Sequence, residues 1–163
     1  MRDKNKTTSF KDIIDVFYSL VTDDMYLEWS KEETAADITN ILVAALPQFE
    51  FPRFNVFDYT EVAVDDDEDY GYFNSVLTPE EINILARLMY IEWLNRQILN
   101  TDVVRQKYSS KDFSLTSQAS HLKTLLSAKA SYESKCKSLQ RLYKRRTITE
   151  NGVIPNYDGL GGK

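Results

Sequence analysis

The chain has one cysteine and one histidine in 163 residues. A lone thiol, Cys136, cannot close an intrachain disulfide and fits a reducing compartment. A lone imidazole, His121, excludes His-based metal clusters and His–His pairs. If both sit on one helix, a rise of about 1.5 Å per residue keeps them more than about 20 Å apart, which rules out a Cys–His catalytic pair. Glycine (5) and proline (4) are scarce and cluster at segment ends, so the chain reads as mainly helical. No apolar run approaches the roughly 18 residues of a membrane span, and the opening MRDKNKTT is too polar for a secretory signal. The expectation is a soluble chain made in a cytoplasm, without membrane contact.

Catalytic signatures are missing too. There is no Gly-rich phosphate loop, nucleophile elbow or zinc spacing. The run DDDEDYG has the charge of a calcium loop, but counting from Asp65 puts Tyr70 at the glycine position and Val76 at the bidentate glutamate position. The sequence therefore predicts no enzyme, no metal and no cofactor.

What is present centres on residues 77–100, LTPEEINILARLMYIEWLNRQILN. Thr78 as cap, Pro79 at the first helical position and Glu81 three residues after the cap form a helix-start signal. Asn100-Thr101-Asp102 reads as the interruption. At 100° per residue the apolar side chains fall on two sides: Ile82, Leu85, Ala86, Met89 and Trp93 on one, Ile84, Leu88, Ile91, Leu94 and Ile98 on the other. Two readings fit. The segment is the central core helix of one domain, or one face packs within the subunit while Ile84, Leu88, Ile91 and Leu94 meet a neighbouring subunit. Glu92 is expected to pair with Arg96 one turn on.

Before this hub, Ser9 caps a helix carrying Phe10, Ile13, Ile14, Phe17, Leu20 and Val21. Ser30 and Glu33 form a capping box for a second helix that Pro47 stops. The two are read as a helical hairpin on the hub. Residues 49–57, FEFPRFNVF, are read as an extended segment or edge strand. Residues 58–70 hold seven Asp/Glu and no Lys or Arg, which predicts an exposed, mobile acidic loop around Asp65, Asp66, Asp67, Glu68 and Asp69.

After the hub, Leu115, Gln118, Leu122, Leu125, Lys129, Tyr132, Cys136, Leu139 and Tyr143 recur at spacings of three and four, a seam on one long helix. Two polar positions in the seam favour packing on the hub over an isolated zipper. Lys123, Lys137, Arg141, Lys144 and Arg145 lie within about 100° of one another on the opposite side. This basic face is either solvated or a contact for phosphate or carboxylate. Residues 147–154 place Asn151-Gly152 between short apolar stretches, a hairpin signal, and GLGGK ends the chain. Net charge divides along the chain. Residues 1–99 carry 8 Lys/Arg against 20 Asp/Glu, and residues 100–163 carry 12 against 5. Such polarity suits head-to-tail contact between copies, or separate partners for each end.

The predicted fold is a bundle of four to five helices with an extended aromatic segment, an acidic loop and a hairpin or extended tail. The boundary falls between a helical domain at 1–146 and a tail at 147–163.

The segment order, with the strings LTPEEINILARLMYIEWLNRQI, KDFSLTSQASHLKTL and RLYKRR, resembles the head–tail connector, or neck adaptor, proteins of tailed bacteriophages over about residues 9–146. The resemblance implies a non-catalytic subunit of a dodecameric ring in the virion neck, assembled in the host cytoplasm. The portal would lie above, a tail or second neck protein below, and genomic DNA would pass through the lumen without specific contact. It also implies a C-terminal arm on the portal, here carried by Ile148, Val153, Ile154 and Tyr157. The acidic loop would then face a neighbour's basic helix or line the lumen. Two other readings of the residues remain open: a nucleic-acid-binding module using the basic face, and a cytosolic helical regulator of a host protein.

Overall fold

A computed structural model describes residues 6–21, 30–62, 70–107, 115–149 and 152–155. Among these, four α-helices carry the mass of the fold. They are α1 (Phe10–Tyr18), α2 (Lys31–Ala45), α3 (Pro79–Lys107) and α4 (Leu115–Lys144). The predicted caps are all present. Ser9 Oγ accepts from Lys11 N, and Ser30 and Glu33 close their box reciprocally. Thr78 Oγ1 accepts from Glu81 N while Glu81 Oε2 accepts from Thr78 N. Each satisfies amide groups that the first turn of a helix would otherwise leave unpaired.

The hub α3 is longer than its sequence predicts. It runs without a break through Asn100-Thr101-Asp102 to Lys107. Thr101 explains part of this, because its hydroxyl donates to Gln97 O and is satisfied inside the helix instead of competing with it. The helices α1, α2 and α4 all pack on α3, and α1 and α2 each meet the hub more extensively than they meet each other, so the predicted hairpin is not a closely paired one. The seam of α4 faces the hub as expected, with Cys136 and Tyr143 buried and the Tyr132 ring 4.5 Å from that of Tyr90.

This arrangement overturns the subunit-interface reading of Ile84, Leu88, Ile91 and Leu94. They are 0, 3, 4 and 1 % exposed in the single chain, and Leu85 and Met89 on the other side are equally enclosed. Three helices of the same polypeptide cover the hub from both directions. The sequence showed correctly that two faces need cover, but it did not show that this chain supplies it.

A small sheet is the main element the sequence did not announce. Strands β1 (Thr8–Ser9), β2 (Tyr59–Glu61) and β3 (Gly71–Phe73) pair antiparallel in the order β1-β3-β2. The aromatic segment is not a strand. It follows a 3-10 turn at Leu46–Gln48 through bends, with Phe49 buried and Phe51 and Phe57 exposed. The acidic run connects β2 to β3, and Asp65–Asp69 lie outside the described residues. Phe10 closes over the sheet, its ring 5.1 Å from Phe73 and 5.8 Å from Tyr59. Gly71 makes this approach possible. At φ +149°, a Cβ there would sit 2.7 Å from both Phe10 Cε2 and Thr60 O.

The tail forms the hairpin its sequence predicts, from β4 (Arg146–Thr149) and β5 (Gly152–Pro155). Its register differs from the simple reading. Thr149 pairs with Gly152, so the glycine belongs to strand β5.

Truncating the hub tests whether it serves the core alone. Ile84→Ala is expected to lower unfolding free energy by about 3 kcal/mol in urea denaturation, as for other buried aliphatic truncations. The sedimentation behaviour of the folded fraction should not change.

Candidate interaction surface

The start of α3 and the end of α4 meet in a buried polar cluster, and this cluster sets where the outer surface points. Glu81, already used by the cap of α3, is 3 % exposed. Its Oε1 accepts from the Tyr143 hydroxyl at 2.5 Å, while Oε2 accepts from Thr78 N and Oγ1. The Tyr143 oxygen in turn accepts from Arg53 N at 3.1 Å. The Arg53 guanidinium lies 4.2 Å from the Tyr143 ring centroid and donates to the carbonyls of Tyr143 and Arg146. One turn earlier on α4, Gln140 is buried and accepts from Glu50 N at 2.6 Å. Arg146 then pairs with Glu80 at 2.7 Å. Two neighbouring acids in the first turn of α3 thus grip the last turn of α4 and the first residue of the hairpin.

Burial dominates the titration of this region. It pushes the Tyr143 hydroxyl well above its ordinary range, and the hydrogen bond to Glu81 adds to the rise. It pushes the Cys136 thiol up to about 11, against smaller opposing effects from Arg87 and Gln140. The thiol is therefore held neutral and unreactive at neutral pH.

The carboxylate singled out on the hub has other partners than expected. Glu92 accepts from Gln48 Nε2 and from Asn95 Nδ2, whereas Arg96 reaches across to Asp37 on α2 at 2.5 Å. The i,i+4 geometry permits an Glu92–Arg96 pair, but an interhelical partner wins because it also ties α2 to the hub.

Outside this cluster, Lys123, Lys137, Arg141 and Lys144 on α4, and Arg145 just past its end, are all exposed. Lys144 Nζ rests 4.1 Å from the Phe51 ring centroid, a cation–π contact. The hairpin leaves the same end of the helix. Its register sets Ile148 opposite Val153 and Ile154 opposite Thr147, while Tyr157 lies outside the described residues. Arg53 and Gln140, which aim this end of the molecule, carry no signal in the sequence pattern. Arg53 is one cation in an aromatic stretch, and Gln140 sits beside the seam among charged residues.

Among the described residues, no group of three or more His, Cys, Asp or Glu is placed to hold a metal ion. Nor is any helix among them long and apolar enough to cross a membrane. His121 is exposed on α4, away from the cluster.

Two measurements check the cluster. Tyr143→Phe leaves a buried carboxylate oxygen and the Arg53 amide short of a partner, so it should cost about 2 kcal/mol in urea unfolding. The raised thiol has a definite sign: the folded state keeps its proton where the unfolded chain has lost it. Stability is therefore expected to fall from about pH 9 to about pH 11, and Cys136→Ala should flatten that decline.

Comparison with protein-family models, with curated proteins and with solved structures gives no match.

Proposed function

We propose that this chain is a structural subunit of a tailed-bacteriophage neck, forming a ring between the portal and the tail that continues the DNA channel. It acts by fitting between larger assemblies, without catalysis or cofactor. The observation that carries the reading is the hairpin β4–β5, mounted on the end of α4 by Arg53 and by the Arg146–Glu80 pair. A two-stranded ribbon is marginal alone in water and gains stability by joining another sheet. A ribbon held at its base at one end of a helical body suits an arm that docks on a portal.

The buried hub changes how the ring is held together. With Ile84, Leu88, Ile91 and Leu94 enclosed, contacts between copies fall to the outer surface, where charge is divided. Head-to-tail contacts of opposite charge close into rings when the rotation between copies permits.

The exposure of all five basic residues on and just past α4 favours a second reading, a contact with duplex DNA. Its affinity would fall steeply with salt as counterions are released. Absence of binding at low salt removes it.

The primary test uses purified portal rings. The intact chain should co-sediment with them, and a chain ending at Arg146 should not, while keeping its helical circular dichroism and melting temperature. An intact chain that ignores the portal overturns the assignment.

A further inference from the structure

The side of α4 turned away from the hub carries a continuous polar ridge. At helical spacings of three and four it runs from Lys123 through Ser127, Ser131, Ser134 and Ser138 to Arg141 and Arg145. Every one of these side chains is exposed. Arg145 N donates to Arg141 O, which carries the turn past Lys144. Lys137 lies beside the ridge and is exposed too. The one acid on α4, Glu133, stands off the ridge and pairs with Lys129 at 3.5 Å. The ridge therefore presents hydroxyls and cations, with no carboxylate among them.

We propose that this ridge binds the sugar–phosphate backbone of duplex DNA without reading its sequence. Four observations select this partner. The ridge is about 33 Å long at about 1.5 Å per residue, close to one turn of B-DNA at about 34 Å. Both strands therefore cross a helix laid along the duplex. Serine hydroxyls and Lys or Arg cations are side chains that contact phosphate oxygens, and short serines let a backbone come close between the charged ends. No aromatic side chain stands on the ridge, so unpaired bases have nothing to stack on, which disfavours a single strand. Its centre is serine, with the exposed Leu126 and Leu142 on opposite flanks, so it lacks the apolar core of a protein interface.

The proposal deepens the DNA reading above and rests on it. It adds the surface and the mode. Phosphates meet Lys123 at one end and Lys137, Arg141 and Arg145 towards the other, with hydroxyls between. Lys135, whose Nζ lies 5.4 Å from the Tyr132 ring centroid, and the ion-paired Lys129 take no part.

The test is fluorescence anisotropy of the full chain with two labelled duplexes of unrelated sequence, each about 20 base pairs or two turns long. Both should bind with the same affinity to within about threefold, because phosphate contacts carry no sequence information. Raising salt from about 50 to about 200 mM should weaken binding roughly a hundredfold, as expected for about four phosphate contacts. Arg141→Gln with Arg145→Gln should weaken binding by at least about tenfold and halve the salt dependence. Ser131→Leu with Ser134→Leu keeps every charge and suits a helix, yet should weaken binding by about tenfold, because it removes two donors and holds the backbone away. Lys135→Gln should change it by less than about threefold. A wild type that ignores both duplexes at low salt removes the DNA reading and the proposal with it. Binding that survives the serine pair or the arginine pair, or that falls as far in Lys135→Gln, leaves DNA binding standing and overturns this site. Tighter binding of a single strand of the same length, or equal displacement by polyglutamate, overturns the choice of partner.

Discussion

A single carboxylate, that of Glu81, ties the two ends of the helical pair together. An unpaired charge in a protein interior is costly, so a glutamate that is 3 % exposed must be surrounded by donors. It has three: the Thr78 amide, the Thr78 hydroxyl and the Tyr143 hydroxyl. The first two are the ordinary cap of a helix, and the third comes from sixty-two residues further along the chain. A local signal for starting α3 thereby becomes the anchor for the end of α4. The positive end of the α3 dipole favours the negative charge at this point, and the basic last turn of α4 suits its own negative end. Arg53 completes the arrangement from the aromatic segment, so three distant stretches converge on one buried oxygen pair.

The second constraint is the self-sufficiency of the hub. A helix that is apolar on two sides demands two layers of cover, and here α1 and α2 with α4 provide both. The molecule therefore has no need of a sibling to complete its core. Any assembly it joins is built from its periphery, which offers exposed charges together with exposed apolar side chains such as Phe57, Val76 and Leu99. That is compatible with a subunit that is stable before it meets its partners and changes little on docking.

Much of this was legible in the chain. Ser9, Ser30 with Glu33 and Thr78 with Glu81 marked three helix starts, because capping is local chemistry that sequence spacing records directly. The α4 seam was equally plain, since its period is that of the helix itself. The sheet was not, although Tyr59-Thr60 and Tyr72-Phe73 flank the acidic run with strand-forming residues. At two or three residues each, its strands are too short for alternation to show, and their pairing is non-local. The same reason hides the Arg96–Asp37 and Gln48–Glu92 pairs. A local rule offers Glu92 and Arg96 to each other, and the tertiary fold offers both something else. Whether the second face of the hub was covered from within or without depended on where three other helices went, which no window on α3 contains.

The clasp by Arg53 has a consequence for how the molecule comes into being. The carbonyls it holds, those of Tyr143 and Arg146, lie 90 and 93 residues further along the chain. Its own amide and guanidinium are held by that same distant stretch, and Phe49 beside it packs on the Tyr143 ring. Cradle and occupant are therefore completed together. The hairpin has no fixed direction until α4 has docked on the hub, so only the finished fold aims it.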